Sequence, residues 1–158
     1  MKFEKFLKMT GGRGVFVDRG DGRNLLLFDG VIMNVPDGMN VIAALSMGGT
    51  AFIDHVFDEY NDENISTAEL TGAVLPTPDA SASKVVRVFT DADGGEIRVQ
   101  NKYFGLIEKD DDVYTVYDEE YSDKPAALLI LTGYGDNEEI AGIIFDDDYF
   151  AARIHEKE

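Results

Sequence analysis

Three groups of neighbouring acidic residues in the second half of the chain are the clearest candidates for a binding function. They are Asp110, Asp111 and Asp112, then Asp118, Glu119 and Glu120, and finally Asp146, Asp147 and Asp148. Clustered carboxylates can attract a basic protein, and their oxygens are also ligands of hard cations such as Ca²⁺. We predict that these nine residues form a partner-binding acidic surface. Whether the first and third groups also meet around a metal ion depends on the fold and stays open.

If these groups form one surface, their positions in the fold are restricted. At least two of the three should lie on one face of the protein, away from the basic side chains Lys2, Lys5 and Lys8. Holding like charges together destabilises a compact chain, so clustering of this kind would indicate a purpose beyond solubility.

The chain contains no motif of a known catalytic or cofactor site. Asp91, Asp93 and Glu96 are spaced like the start of a calcium-binding loop. However, Gly95 and Lys102 stand where an EF-hand requires oxygen ligands, so a hairpin turn is the better interpretation. The absence of cysteine excludes disulfides and thiolate metal sites. The sequence therefore assigns no catalytic residue and no cofactor, and it favours a protein that is not an enzyme.

The charge is distributed unevenly along the chain. Residues 1–30 carry six Lys or Arg against four Asp or Glu, a balance of +2, whereas the whole chain stands at −17 and the remainder therefore at −19. Direct binding of this remainder to nucleic acid or to an anionic membrane is electrostatically unfavourable. A basic protein is the partner that the charge favours, although acidity can also serve solubility alone.

Hydrophobic patterning indicates a single α+β domain with an antiparallel sheet, built mainly from the C-terminal half, and one or two packed helices. Runs typical of strands, separated by turns rich in Gly, Pro and Asp, occur at 15–17, 24–28, 31–35, 84–90, 96–100, 103–107, 113–117, 126–132 and 140–145. The run at 126–132 is apolar without alternation. This pattern suits a strand buried on both faces, with a short buried helix as the alternative.

Helical patterns are fewer than strand patterns. A short helix is predicted around 3–7, an amphipathic helix at 50–60, and a short helix opened by the capping-box sequence at 66–69. Residues 39–47 fit either a strand or a helix. The proline-, serine- and alanine-rich segment at 75–83 is predicted to be a loop inside the domain.

These observations favour a small acidic binding protein that engages a basic partner, and a narrower form is an inhibitor that imitates the charge of nucleic acid. One alternative is an assembly subunit that forms homo-oligomers through the apolar strands at 128–131 and 140–145. Another is a metal-binding protein or enzyme that uses its acidic clusters. The absence of cysteine, of a signal peptide and of a membrane-spanning apolar run leads us to expect a cytoplasmic location and no membrane partner.

Overall fold

The computed structural model of the chain describes residues 1–18, 24–36, 45–46, 65–76, 85–118, 124–133 and 138–149. The predicted helix at 50–60 and the candidate residues Glu119 and Glu120 lie outside these ranges. Of the ambiguous segment 39–47, only Leu45–Ser46 is described, and it is a two-residue strand. Leu75 and Pro76, the first residues of the predicted loop, belong to a strand, while 77–83 lie outside the described residues.

The described residues form one ten-stranded sheet and little helix, which confirms an α+β fold dominated by antiparallel pairing. The strands are β1 (Val15–Asp18), β2 (Asn24–Phe28), β3 (Val31–Asn34), β4 (Leu45–Ser46), β5 (Ile65–Pro76), β6 (Val85–Asp91), β7 (Glu96–Gln100), β8 (Asp112–Val116), β9 (Ala127–Thr132) and β10 (Glu139–Phe145). Their order is β4-β1-β2-β3-β10-β9-β8-β5-β6-β7, and all neighbours are antiparallel except β4 and β1.

Both halves of the chain contribute to this sheet. Five of the ten described strands, β1 to β5, lie before residue 77, so the prediction that the sheet comes mainly from the C-terminal half is too narrow. The reason is that the apolar runs near the N-terminus do not end in an isolated hairpin. Instead β3 pairs with β10, where Val31, Ile32 and Met33 lie opposite residues of the last strand.

The described helices are short. They are α1 (Phe3–Thr10), α2 (Asn101–Phe104) and α3 (Asp147–Tyr149). The predicted N-terminal helix is confirmed, and it ends where Gly11 adopts the left-handed conformation at φ +56°. Among the described residues, no helix is long and apolar enough to cross a membrane.

Several predicted strands are confirmed with their registers. β1 pairs with β2, and β6 pairs with β7 across the turn at 91–95. In β9, Leu128 and Ile130 enter one hydrophobic cluster whereas Leu129 and Leu131 enter the other. The run at 126–132 is therefore a strand with two buried faces, as its lack of alternation predicted.

Two local predictions are wrong. The capping-box sequence at 66–69 lies in β5, which pairs with β8 through its first residues and with β6 over most of its length. Two neighbouring strands satisfy its backbone groups, and this outweighs a local preference for a helix start. The run at 103–107, predicted as a strand, forms the end of α2 and a turn. Tyr103 and Leu106 are three residues apart and both buried, as on one side of a helical turn.

The core has two layers, one on each face of the central strands. On one face, α1 and the β6–β7 hairpin pack over β9 and β10, and the cluster there includes Phe6, Phe89, Ile97, Leu128 and Ile144. On the other face the cluster includes Val17, Leu25, Leu129, Ile143 and Tyr149. These layers fix the strand ends, and with them the acidic groups, in space.

Candidate functional site

The strand register sends the acidic groups to opposite ends of the sheet. Asp112 begins β8 opposite Leu131, near the end of β9. At the other end of β9, the amide of Asp146 donates to the carbonyl of Ala126 over 2.9 Å. Five residue steps along the chain, from Ala126 to Leu131, separate these points, or roughly 17 Å at about 3.4 Å per step. The first and third groups therefore do not meet around a common ion.

One end of the sheet presents carboxylates to solvent, and we call it the exposed acidic end. Its members are the exposed residues Glu108, Asp110, Asp112, Glu138 and Glu139. Asp112 lies opposite Leu131, and Glu139 lies opposite the next residue of β9, Thr132. The members therefore lie on or beside three neighbouring strands, β8, β9 and β10. Glu108, Glu138 and Glu139 were not among the predicted residues. A single acid in a loop, or a pair of acids before an apolar strand, resembles any solvated segment.

Asp111 differs from its two neighbours, although the sequence groups it with them. Its side chain is only 2% exposed, and its Oδ2 accepts from the Met1 amino group at 2.7 Å and from the Glu108 amide at 2.9 Å. The amide of Lys2 donates to the carbonyl of Leu106, so the start of α1 lies beside this group. Asp111 thus anchors the N-terminus and is not available to a partner.

The second and third acidic groups come together at the opposite end of the sheet. The Tyr149 hydroxyl donates to Asp118 Oδ2 at 2.6 Å, and the Tyr149 amide donates to Asp146 Oδ2 at 3.2 Å. Tyr149 itself is buried and thereby links β8 to the end of β10. Asp118 and Asp146 are therefore half-buried hydrogen-bond acceptors within the fold.

The remaining members of the third group also face the protein or are undescribed. Asp147 Oδ1 accepts from the Gln100 side-chain amide at 3.1 Å, at the end of β7. The backbone of Asp148 lies in α3, and its side chain is outside the described part. Of the nine predicted residues, only Asp110 and Asp112 are described as exposed.

A buried carboxylate, Asp91, lies under the β6–β7 turn, where the sequence predicted a hairpin turn instead of a calcium-binding loop. Asp91 accepts from Thr115 Oγ1 at 2.8 Å, from the Tyr117 hydroxyl, and from the amides of Gly95 at 2.7 Å and Asp93 at 3.0 Å. Burial alone would raise the pKa of Asp91, but the four hydrogen bonds outweigh burial and lower the pKa below its ordinary value. This side chain ties the turn to β8. The available signal was the Asp at the start of a glycine-containing turn.

A second polar contact joins α2 to the turn between β2 and β3. The buried Tyr103 hydroxyl donates to Asp29 Oδ2, and Lys102 Nζ lies 3.7 Å from the same oxygen. Asp29 has φ +53°, a conformation that Asp tolerates in tight turns. Burial, then Asp29, then Asp147 raise the pKa of Tyr103. The phenol is thereby held protonated, and its hydrogen bond to Asp29 joins α2 to the turn.

The described residues offer no cation site. No group of three or more His, Cys, Asp or Glu side chains within the described ranges is arranged to hold a metal ion. What the described acids can do is attract a positively charged partner at the exposed acidic end.

Comparisons with protein-family models, with curated proteins and with solved structures give no match to this chain.

Proposed function

We propose that this protein is a small acidic binding protein, located in the cytoplasm, that engages a basic partner through the exposed acidic end. The observation that carries the proposal is the contrast between two sets of acids. Asp111, Asp118, Asp146 and Asp147 accept hydrogen bonds from the protein itself. Asp110, Asp112, Glu138 and Glu139 instead lie exposed at the other end of the sheet, in a chain whose net charge is −17. The fifth member of the exposed acidic end, Glu108, also accepts from the Met1 amino group at 3.3 Å.

The dimensions of the exposed acidic end suit a cationic segment. Two inter-strand spacings separate β8 from β10, or roughly 10 Å. A concentrated negative field of this kind accelerates encounter with a positive partner, and salt weakens it because the Debye length is about 8 Å at physiological ionic strength. We therefore expect fast association with strong salt dependence.

The narrower form of the proposal is an inhibitor that imitates nucleic acid. Duplex DNA carries one charge per ~1.7 Å of axis, so about six charges occupy ~10 Å. The exposed acidic end offers four exposed carboxylates on or beside β8 to β10, those of Asp110, Asp112, Glu138 and Glu139, while Glu108 is paired with the Met1 amino group and the exposed Lys109 follows it in the sequence. A nucleic-acid-binding protein would then be the basic partner.

The first experiment measures binding of a fluorescent oligolysine peptide across a salt series. The variant D110N/D112N/E139Q removes three charges from the exposed acidic end. The control E4Q/E69Q/E96Q removes three exposed charges from α1, β5 and β7. We expect the first variant to lose about tenfold or more in affinity at low salt, or about 1.4 kcal/mol, and to show a shallower salt slope. We expect the control to stay close to wild type. Equal losses in both variants would mean that the acidity is diffuse and serves solubility.

The mimic form needs a competition experiment. A labelled DNA duplex is first bound to the oligolysine peptide, and the protein is then added. We expect wild-type protein and the control variant to displace the duplex, and D110N/D112N/E139Q to fail. If the protein binds the peptide but does not displace the DNA, the proposal of an acidic binding surface stands and the proposal of nucleic-acid mimicry is rejected.

Self-association through the apolar strands has less support from the geometry. β9 and β10 lie inside the sheet, and each pairs with a neighbour on both sides. Their backbone groups are therefore occupied, and a second copy would have to use an edge of the sheet.

A further inference from the structure

β7 lies at one edge of the described sheet, but part of that edge is covered. β7 pairs with β6 on one side, and Val88 lies opposite Arg98. The amide of Arg98 donates to Asp146 Oδ1 at 2.8 Å, so it points away from β6. Because amides alternate in direction along a strand, those of Ile97 and Val99 point towards β6.

The covering segment is residues 145–149, which we call the latch. Besides the contact of Asp146 with Arg98, Asp147 holds the Gln100 side chain at 3.1 Å. Tyr149 secures the far end of the latch, since it is buried and its hydroxyl donates to Asp118 Oδ2 at 2.6 Å. Charged groups that block an edge in this way prevent pairing with another strand.

We propose that the latch is an autoinhibitory cover and that its release opens β7 to pair with β7 of a second copy. Glu96 and Arg98 are exposed on the outer face of β7, whereas Ile97 and Val99 are buried in the core. An antiparallel pair of β7 strands centred on Ile97 places Glu96 of each copy opposite Arg98 of the other. Opposite charges in facing positions stabilise such a pair. The strand is therefore complementary to itself in this register, and a second copy is its partner.

Sedimentation velocity over a concentration series tests whether the latch prevents dimerisation. The latch variant D146A/D147A removes the two side-chain hydrogen bonds to β7 and the bond that Asp146 accepts from the Tyr149 amide. The variant D110A/D112A removes the same charge from the exposed acidic end. We expect the latch variant to shift from the mass of one chain to that of two, while wild type and the control stay monomeric. A latch variant that folds and stays monomeric at every concentration would overturn the proposal. So would equal dimerisation of the control, because lowered net charge would then be the cause.

The register is tested in the latch-open background. Adding E96R or R98E alone places like charges opposite each other, and we expect each variant to lose the dimer. A mixture of the two should regain it, because every facing pair is again of opposite sign. Dimers that persist in both single variants would show that another surface is used and would reject β7 pairing.

Hydrogen exchange on the wild-type protein tests the proposal even if the latch variant does not fold. One side-chain carboxylate protects the Arg98 amide, whereas the sheet protects those of Ile97 and Val99. We expect the Arg98 amide to exchange at least tenfold faster than its two neighbours. Equal exchange of all three would mean that the latch opens only with the whole sheet, and the proposal would fail.

Discussion

At the scale of single residues, removal of the Asp91 side chain should strongly lower the free energy of unfolding. It accepts four hydrogen bonds, and Asp91→Ala would leave the donors on Thr115 and Gly95 unsatisfied in a buried site. We expect a loss of about 2–4 kcal/mol in the free energy of unfolding, measured by urea denaturation at neutral pH. Asp93→Ala is the control, because Asp93 is exposed and its carboxylate accepts from the Ser66 hydroxyl at the surface. A control loss as large as that of Asp91→Ala would contradict the role of the buried carboxylate.

The same residue makes a prediction about pH. The pKa of Asp91 is lower in the folded chain than its ordinary 3.8, so the unfolded chain takes up the proton first. The stabilisation is therefore fully present above pH ~4 and is lost as pH falls through the folded-state pKa. The stability difference between wild type and Asp91→Ala should be constant from pH 8 to pH 5 and shrink in stronger acid. A difference that grows as pH falls would have the wrong sign.

Two tyrosines should titrate outside the ordinary range. Burial and the carboxylates beside them, Asp29 for Tyr103 and Asp91 for Tyr117, raise the pKa of both hydroxyls. In an ultraviolet titration of the seven tyrosines, we expect at least two to remain protonated above pH ~11 while the chain stays folded. Tyr103→Phe and Tyr117→Phe should each remove one late titration step. An early step lost from either variant would contradict the hydrogen-bonding scheme.

At the scale of the elements, β9 is the strand on which both core layers depend. Leu129 is fully buried, so Leu129→Ala should cost about 2–5 kcal/mol through lost contacts and a residual cavity. Leu70 in β5 is 43% exposed, and Leu70→Ala should cost much less, on the order of 0.5 kcal/mol. Urea midpoints of the two variants provide the comparison. Similar losses would mean that β9 is not the centre of the core.

Some of these elements could be predicted from the sequence and others could not. The hairpin of β6 and β7 and the doubly buried β9 could be predicted, because their apolar periods and turn residues act over a few positions. β5 could not, since its capping-box residues read as a helix start until the distant partner β8 is known. The short α2 was also missed, because five mostly apolar residues fit either period.

The acidic site was predicted in part for a related reason. Clusters of acidic residues can be recognised in the sequence. Their exposure, however, depends on which hydrogen-bond donors lie beside them in the folded structure. Asp111 meets the N-terminus, and Asp146 meets the edge amide of β7. Both donors come from positions far along the chain, so composition could not separate these acids from the exposed Asp110 and Asp112.

For the whole molecule, the net charge of −17 should make stability depend on salt. Mutual repulsion among the acids opposes the compact state, and added sodium chloride screens it. Between low and physiological ionic strength we expect a gain of about 1 kcal/mol, or roughly 2–4 °C in Tm. D110N/D112N/E139Q should show a smaller gain, since it removes part of the repulsion. A Tm that falls with salt would indicate that favourable ion pairs dominate instead.

The position of β10 between β3 and β9 determines when the chain can fold. Residues 142–144 must find residues 31–33 across more than a hundred intervening positions, and only then are the β1–β3 strands joined to the rest of the sheet. Such distant pairing gives a high contact order, for which folding times of milliseconds to seconds are typical. During synthesis the N-terminal strands must wait until residues 142–144 have left the ribosome. Until then their edge is open, which makes this interval the period of greatest exposure to aggregation.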